Sequence, residues 1–142
     1  MKRLLIALLV LAGAVALLYG VFLPSAQRQQ KEEAFQQATR TQIDTFRTSL
    51  AAFQKDCDRL PSSEEGLRAL MEKPANVSDN QWHGPYLDLI PTDPWGRSYV
   101  YRCPGQHGTN RFEIYSNGPD GVSRSGGEDA DDIASWVGRG VR

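Results

Sequence analysis

TQIDTFRTSLAAFQKDC, residues 41–57, sets apolar side chains at Ile43, Phe46, Leu50, Phe53 and Cys57. Spacings of three and four put all five on one face of an α-helix, with Asp44, Arg47, Thr48 and Lys55 elsewhere around it. Such a stripe is a packing face, so the helix must lie along something else. Everything before residue 41 extends this helix, and everything after residue 57 supplies the partner.

The whole stretch from Ser25 to Asp56 contains no Gly or Pro and is rich in Gln, Ala, Lys, Arg and Glu, all competent helix formers. Its earlier half, Gln27 to Gln37, is polar nearly all round apart from Phe35, which suits a helix in water. Pro24 is expected to kink the helix and not to end it. Before it, Leu4 to Leu23 is free of charged residues, interrupted only by Gly13, Tyr19 and Gly20. As a helix this run spans about 30 Å, the thickness of a bilayer's hydrocarbon core. A cleaved secretory signal is the rival reading, with Lys2-Arg3 as its basic start. The run is longer than a usual signal core, and Pro24-Ser25-Ala26 is a weak cleavage site. The segment is therefore read as an uncleaved anchor over residues 1–23. Lys2 and Arg3 stay on the cytoplasmic side, and the remainder is exported. Export bears on Cys57 and Cys103, an even number in an oxidising compartment. A disulfide between them is expected; two free buried thiols are the alternative.

Downstream, Leu60-Pro61 stops the helix. Ser62-Ser63-Glu64-Glu65 has the pattern of a capping box, Ser62 leading and Glu65 three residues on, ahead of a short helix with Leu67, Leu70 and Met71 inward. Residues 75–98 form a long connection dense in Pro, Gly and Trp. Tyr99–Arg102 and Arg111–Ser116 alternate as strands, joined through Pro104-Gly105-Gln106-His107-Gly108. The fold class is α+β: a long helix against a small antiparallel sheet, with ordered loops.

The C-terminal stretch YSNGPDGVSRSGGEDADDIASW, residues 115–136, carries four Asp and one Glu against a single Arg124. Carboxylates so close together repel unless a cation holds them. Hard oxygen donors from carboxylates and turn carbonyls suit Ca²⁺ better than a transition metal. The EF-hand pattern is absent. A solvated acidic loop is the other reading of the same residues.

Composition excludes other classes. A net charge of −1 argues against nucleic acid. His83 and His107 each stand in a turn and read as solvated. No nucleophile–base arrangement or phosphate-cradling loop is present, so the chain reads as a non-enzyme without catalytic residues.

Several motifs in series give a family resemblance. They are Thr41-Gln42-Ile43, Leu60-Pro61-Ser62-Ser63-Glu64-Glu65-Gly66-Leu67, Trp82-His83-Gly84-Pro85-Tyr86-Leu87, Asp93-Pro94-Trp95-Gly96-Arg97, Pro104-Gly105, and Tyr115-Ser116-Asn117-Gly118-Pro119-Asp120-Gly121 with Asp131-Asp132-Ile133 and Trp136. Over residues 38–136 the chain resembles the G-type major pseudopilin of bacterial type II secretion systems. The resemblance implies a pilin-like fold and a structural subunit of a periplasmic pseudopilus that takes part in secretion across the outer membrane. The implied partners are copies of itself in a filament, minor pseudopilins, inner-membrane assembly proteins and the membrane. The implied location is the bacterial inner membrane, single-pass, with the C-terminal head in the periplasm. It also implies Ca²⁺ in a loop over residues 117–132: Asp120, Asp131 and Asp132 match the family's acidic positions, and Asn117 and Asp129 stand where carbonyls complete the shell. The expected division is an anchor at 1–23, an exposed helical continuation at 24–57 and a head at 58–142.

The N-terminus departs from the resemblance. With Pro24 matched to the proline usual in such helices, the family's Glu position falls on Ala7, and no Gly-Phe leader site precedes it. A membrane-tethered exported pilin-like binding domain that does not polymerise is the alternative function.

Overall fold

The computed structural model describes residues 2–107 and 112–136, with side chains described from residue 25 onward. Helix α1 runs Lys2–Cys57. Pro24 lies within it and does not end it. The side chains of the expected anchor, residues 1–23, lie outside the described residues. Among the described residues no helix is long and apolar enough to cross a membrane. The chain forms two compact units, Met1–Phe35 and Gln36–Arg142. In the first, the Lys31 ammonium sits 5.2 Å from the centre of the Phe35 ring.

In the second unit the stripe does what its spacing predicts. Ile43, Phe46, Leu50, Phe53 and Cys57 are all buried, each large apolar side chain removed from water being worth about 1.5–3 kcal/mol. On the wet face, Thr41, Thr45 and Thr48 return their hydroxyls to the carbonyls of Gln37, Thr41 and Asp44 at 3.0, 3.1 and 3.0 Å. These bonds let threonines with modest helix propensity sit in an exposed helix. The chain leaves α1 through Asp58, whose φ of +55° is the left-handed conformation common just past helix ends.

The capping box forms in full. The Ser62 N–H donates to Glu65 Oε2 at 2.7 Å, and the Glu65 N–H donates to Ser62 Oγ at 3.2 Å. The helix it leads into is a short 3₁₀ segment, Gly66–Leu70, and not an α-helix. Leu67 and Leu70 are buried as expected, while Met71 is half-buried. Pro74 leaves too little chain for a second α-turn.

Among the described residues the head carries three antiparallel strands, β1 Val100–Arg102, β2 Glu113–Ser116 and β3 Ile133–Ala134, in the order β1-β2-β3. Pairing sets Val100 opposite Tyr115, Tyr101 opposite Ile114, and Ser116 opposite Ile133. β3 is two residues long, and a strand so short has no alternation to read in the sequence. Edge-to-face aromatic pairs join the helix to the long connection before β1: Phe46 with Tyr99 at 5.1 Å, Phe53 with Tyr86 at 5.6 Å. Burial raises the phenols of Tyr86 and Tyr99 to about 12 and that of Tyr101 further still. Tyr101 donates its hydroxyl to the Pro61 carbonyl at 2.8 Å, tying β1 to the turn after α1.

The expected disulfide does not join Cys57 to Cys103 in this structure. Cys57 turns its sulfur toward the Gln81 carbonyl, 3.9 Å away. Cys103 is braced through its backbone, its N–H donating to Ser63 Oγ at 2.9 Å and its carbonyl accepting from the same hydroxyl at 3.0 Å. Each cysteine thus has its own anchorage, and the junction between α1 and the sheet is made by packing and hydrogen bonds.

Candidate functional site

The acidic loop starts where β2 ends and finishes where β3 begins. Extending the Ser116–Ile133 register by one step carries Asn117 opposite Asp132. At Gly118 the backbone adopts φ +62°, and a Cβ there would stand 2.1 Å from the Asp131 carbonyl oxygen and 3.5 Å from Asp131 Oδ2. Glycine is required on both counts. The mouth of the loop therefore brings Asn117, Gly118, Asp131 and Asp132 together.

The loop's arch is built from hydroxyls and carboxylates. Ser123 donates to Asp132 Oδ2 at 2.6 Å, and the Asp129 N–H reaches the same oxygen at 2.9 Å. Asp129 accepts from the Arg124 N–H and the Ser125 hydroxyl, each at 2.7 Å. These donors, the Arg124 N–H foremost, hold its carboxyl below the usual range. Asp120 is exposed and accepts from the Val122 N–H at 2.8 Å. The five candidate ligands thus divide. Asn117, Asp131 and Asp132 meet at the mouth, while the carboxylates of Asp120 and Asp129 close backbone turns.

Asn117 Oδ1 and Asp132 Oδ1 are buried at the mouth with no hydrogen-bond partner. A buried oxygen without a donor is costly. These two oxygens, and the Asp131 carbonyl and carboxylate that lie against Gly118, are hard oxygen donors only. That set fits Ca²⁺ in kind. Among the described residues no three His, Cys, Asp or Glu side chains converge as a metal cluster, so any shell here draws on an amide and main-chain carbonyls as well.

Two features around the loop escape sequence reasoning. His107, expected to be solvated, keeps 20% side-chain exposure and stacks on Trp136 with ring centroids 4.8 Å apart and planes 8° from parallel. Its Nδ1 lies 3.2 Å from Oε1 of the fully buried Glu113, and its Nε2 lies 3.7 Å from Glu128. His83 does remain exposed, beside Asp56 at 3.4 Å. The second feature is the Asp93–Arg97 turn. Asp93, 3% exposed, accepts from the N–H groups of Trp95 and Arg97 at 3.1 and 2.8 Å and from the Ser116 hydroxyl at 2.6 Å. Asp followed by Pro and Gly signals a turn in sequence; nothing in the string shows that the turn grips β2.

Comparison with known proteins matches residues 27–136 to the family described as Type II secretion system (T2SS), protein G. Type II secretion system core protein G of Klebsiella pneumoniae is 37% identical over 109 residues, spanning 75% of this chain and 74% of that protein. The Pseudomonas aeruginosa protein of the same name is 33% identical over 135 residues, spanning 93% of this chain and 92% of its own length. Among solved structures, the major pseudopilin from the type 2 secretion system of enterohaemorrhagic Escherichia coli superposes with a TM-score of 0.67 at 32% identity. That match covers 80% of this chain and 93% of that one.

Proposed function

The chain belongs to the type II secretion system protein G family, and from that premise we propose a calcium-closed, membrane-anchored form of the family's structural role. The chain is a pilin-like structural subunit of the pseudopilus. The apolar run Leu4–Leu23 anchors it in the inner membrane with the C-terminal head in the periplasm. Copies of the chain, minor pseudopilins and inner-membrane assembly proteins are its partners. Loss of the gene leaves exoproteins in the host periplasm, and the re-expressed chain restores their release. Cross-linking in cells yields a ladder of copies; a monomer alone, with secretion intact, would favour the non-polymerising tethered domain.

Ca²⁺ is the proposed ligand of the 117–132 loop. Its oxygens come from Asn117, Asp131 and Asp132, with Asp120 and Asp129 shaping the turns beside them. The observation carrying this reading is the pair of buried oxygens without donors, Asn117 Oδ1 and Asp132 Oδ1. The ion supplies a positive partner to the buried oxygens and ties the two ends of the loop together. Calcium therefore acts on stability, as any ligand of the folded state does. The full-length chain in detergent melts several degrees higher in millimolar Ca²⁺ than in EGTA, by roughly the shift that a few kcal/mol produces in a small domain. Asp132→Ala removes the difference. Asp79→Ala keeps it, because Asp79 is an exposed partner of Lys73 far from the loop in sequence. Identical melting curves for the native chain in Ca²⁺ and EGTA would refute the calcium reading.

A further inference from the structure

Arg97 spends its guanidinium on the backbone of the loop. Nη1 donates to the Gly118 carbonyl at 2.7 Å and Nη2 to the Pro119 carbonyl at 3.2 Å. Gly121 lies against the same group: a Cβ there would stand 2.3 Å from Arg97 Nε. The planar fork thus holds two successive carbonyls in fixed directions, which a lysine could not do.

Arg97 is itself held. Its N–H donates to Asp93 Oδ1 at 2.8 Å, and its carbonyl accepts from the Asp93 N–H at 2.7 Å. Asp93 Oδ2 accepts from the Ser116 hydroxyl at 2.6 Å, whose oxygen accepts from the Gly118 N–H at 3.1 Å. A closed circuit results, from Arg97 through Gly118, Ser116 and Asp93 back to Arg97. Gly118 is fixed at both its N–H and its carbonyl, and its neighbour in the chain is Asn117.

We propose that Arg97 is a positioning residue for the cation site, ordering the 117–121 turn through the carbonyls of Gly118 and Pro119 so that Asn117 is in place before Ca²⁺ arrives. The proposal rests on the calcium reading above. Fixing a residue's backbone costs about 1–2 kcal/mol in conformational entropy. A loop that has already met that cost binds more tightly than one the ligand must order. Arg97 does this from outside the shell, because its donors go to carbonyls on the turn and not to Asn117, Asp131 or Asp132.

The experiment titrates Ca²⁺ calorimetrically into EGTA-stripped full-length chain in detergent, for the native protein, Arg97→Ala and Arg97→Lys, with melting curves in Ca²⁺ and in EGTA. Arg97→Ala is expected to weaken Ca²⁺ binding about tenfold, and Arg97→Lys, which can reach one carbonyl but not both, by less. The melting increment from Ca²⁺ shrinks in the same order. A purely structural role would lower both melting curves equally and leave the dissociation constant within about twofold of native, which would overturn the proposal. Tighter binding by Arg97→Ala would overturn it too, by showing that the guanidinium's charge repels the ion more than its fork helps. Should Arg97→Ala not fold, Arg97→Lys decides on the same criteria. Absence of Ca²⁺ binding to the native chain removes the calcium reading and this proposal with it, and that failure is visible before any variant is examined.

Discussion

Arg59 and Glu65 meet fork to fork: Nη1 donates to Oε2 at 2.6 Å and Nη2 to Oε1 at 2.7 Å. Nη2 also reaches Asn76 Oδ1 at 2.6 Å, and the central guanidinium carbon lies 5.7 Å from the centre of the Phe53 ring. One ion pair thus joins the end of α1, the capping box and the loop after the 3₁₀ segment. Hydrogen bonds from Arg59, opposed by burial and aided by the Ser62 N–H, hold the Glu65 carboxyl down at about 2.

Because the folded-state pKa of Glu65 lies below its unfolded value near 4.3, the pair's contribution is complete above that value and is lost as pH falls toward 2. Glu65→Gln should cost on the order of 1–2 kcal/mol at neutral pH, allowing for solvent along the pair's open side. Urea unfolding of both proteins at stepped pH checks this. The two stabilities should converge as the solution is acidified from about pH 4 to pH 2. A gap that stays constant through that window would show the ion pair is not its source.

Gly118 and Gly66 make a matched test of the loop mouth. Both have φ near +60°, at +62° and +61°, but a Cβ on Gly66 meets nothing within 4 Å while one on Gly118 meets the Asp131 carbonyl. Gly66→Ala should cost about 1–2 kcal/mol, the left-handed penalty alone. Gly118→Ala should cost more and should also erase the melting increment from Ca²⁺. Equal losses for the two variants would mean the strands part freely at the mouth.

Phe53→Ala should be among the most damaging substitutions in the head. Its ring is fully buried, packs edge-to-face on Tyr86, and lies under Arg59. A loss of about 3–5 kcal/mol is expected from chemical denaturation. Ala52→Ser, on the exposed side of the same turn, should change stability by less than about 0.5 kcal/mol.

The thiols give a direct chemical check. Burial raises the Cys57 thiol above its usual range, so iodoacetamide should leave it unmodified while the chain is folded. Unfolded without reductant, the chain should take two adducts, since no disulfide joins the two cysteines. Recovery of a chain with no adducts would show that a bridge forms in the cell.

The helix was legible because its stripe is local: Ile43, Phe46, Leu50, Phe53 and Cys57 declare one face without reference to anything else. The capping box was legible for the same reason, as its two bonds join residues three apart. What escaped was set by distant partners. Glu113 in β2 looks like a surface residue until His107 and Gly105 close over it. Arg97 looks like a solvated turn residue until the carbonyls of Gly118 and Pro119 arrive beside it. The acidic residues were legible as a group, but not their division into three at the mouth and two in the turns. That division depends on β3, whose two residues are defined by pairing and not by pattern.

Three of the chain's five tyrosines, Tyr86, Tyr99 and Tyr101, sit where the phenolate is disfavoured. Their positions sample different joints: Tyr86 touches α1 and the long loop, Tyr99 meets Phe46, and Tyr101 caps the turn at Pro61. The head therefore carries built-in optical reporters of its own integrity. In an alkaline absorbance titration these rings stay dark while the joints hold. A joint that opens announces itself as early phenolate colour, so loosening can be followed without any label.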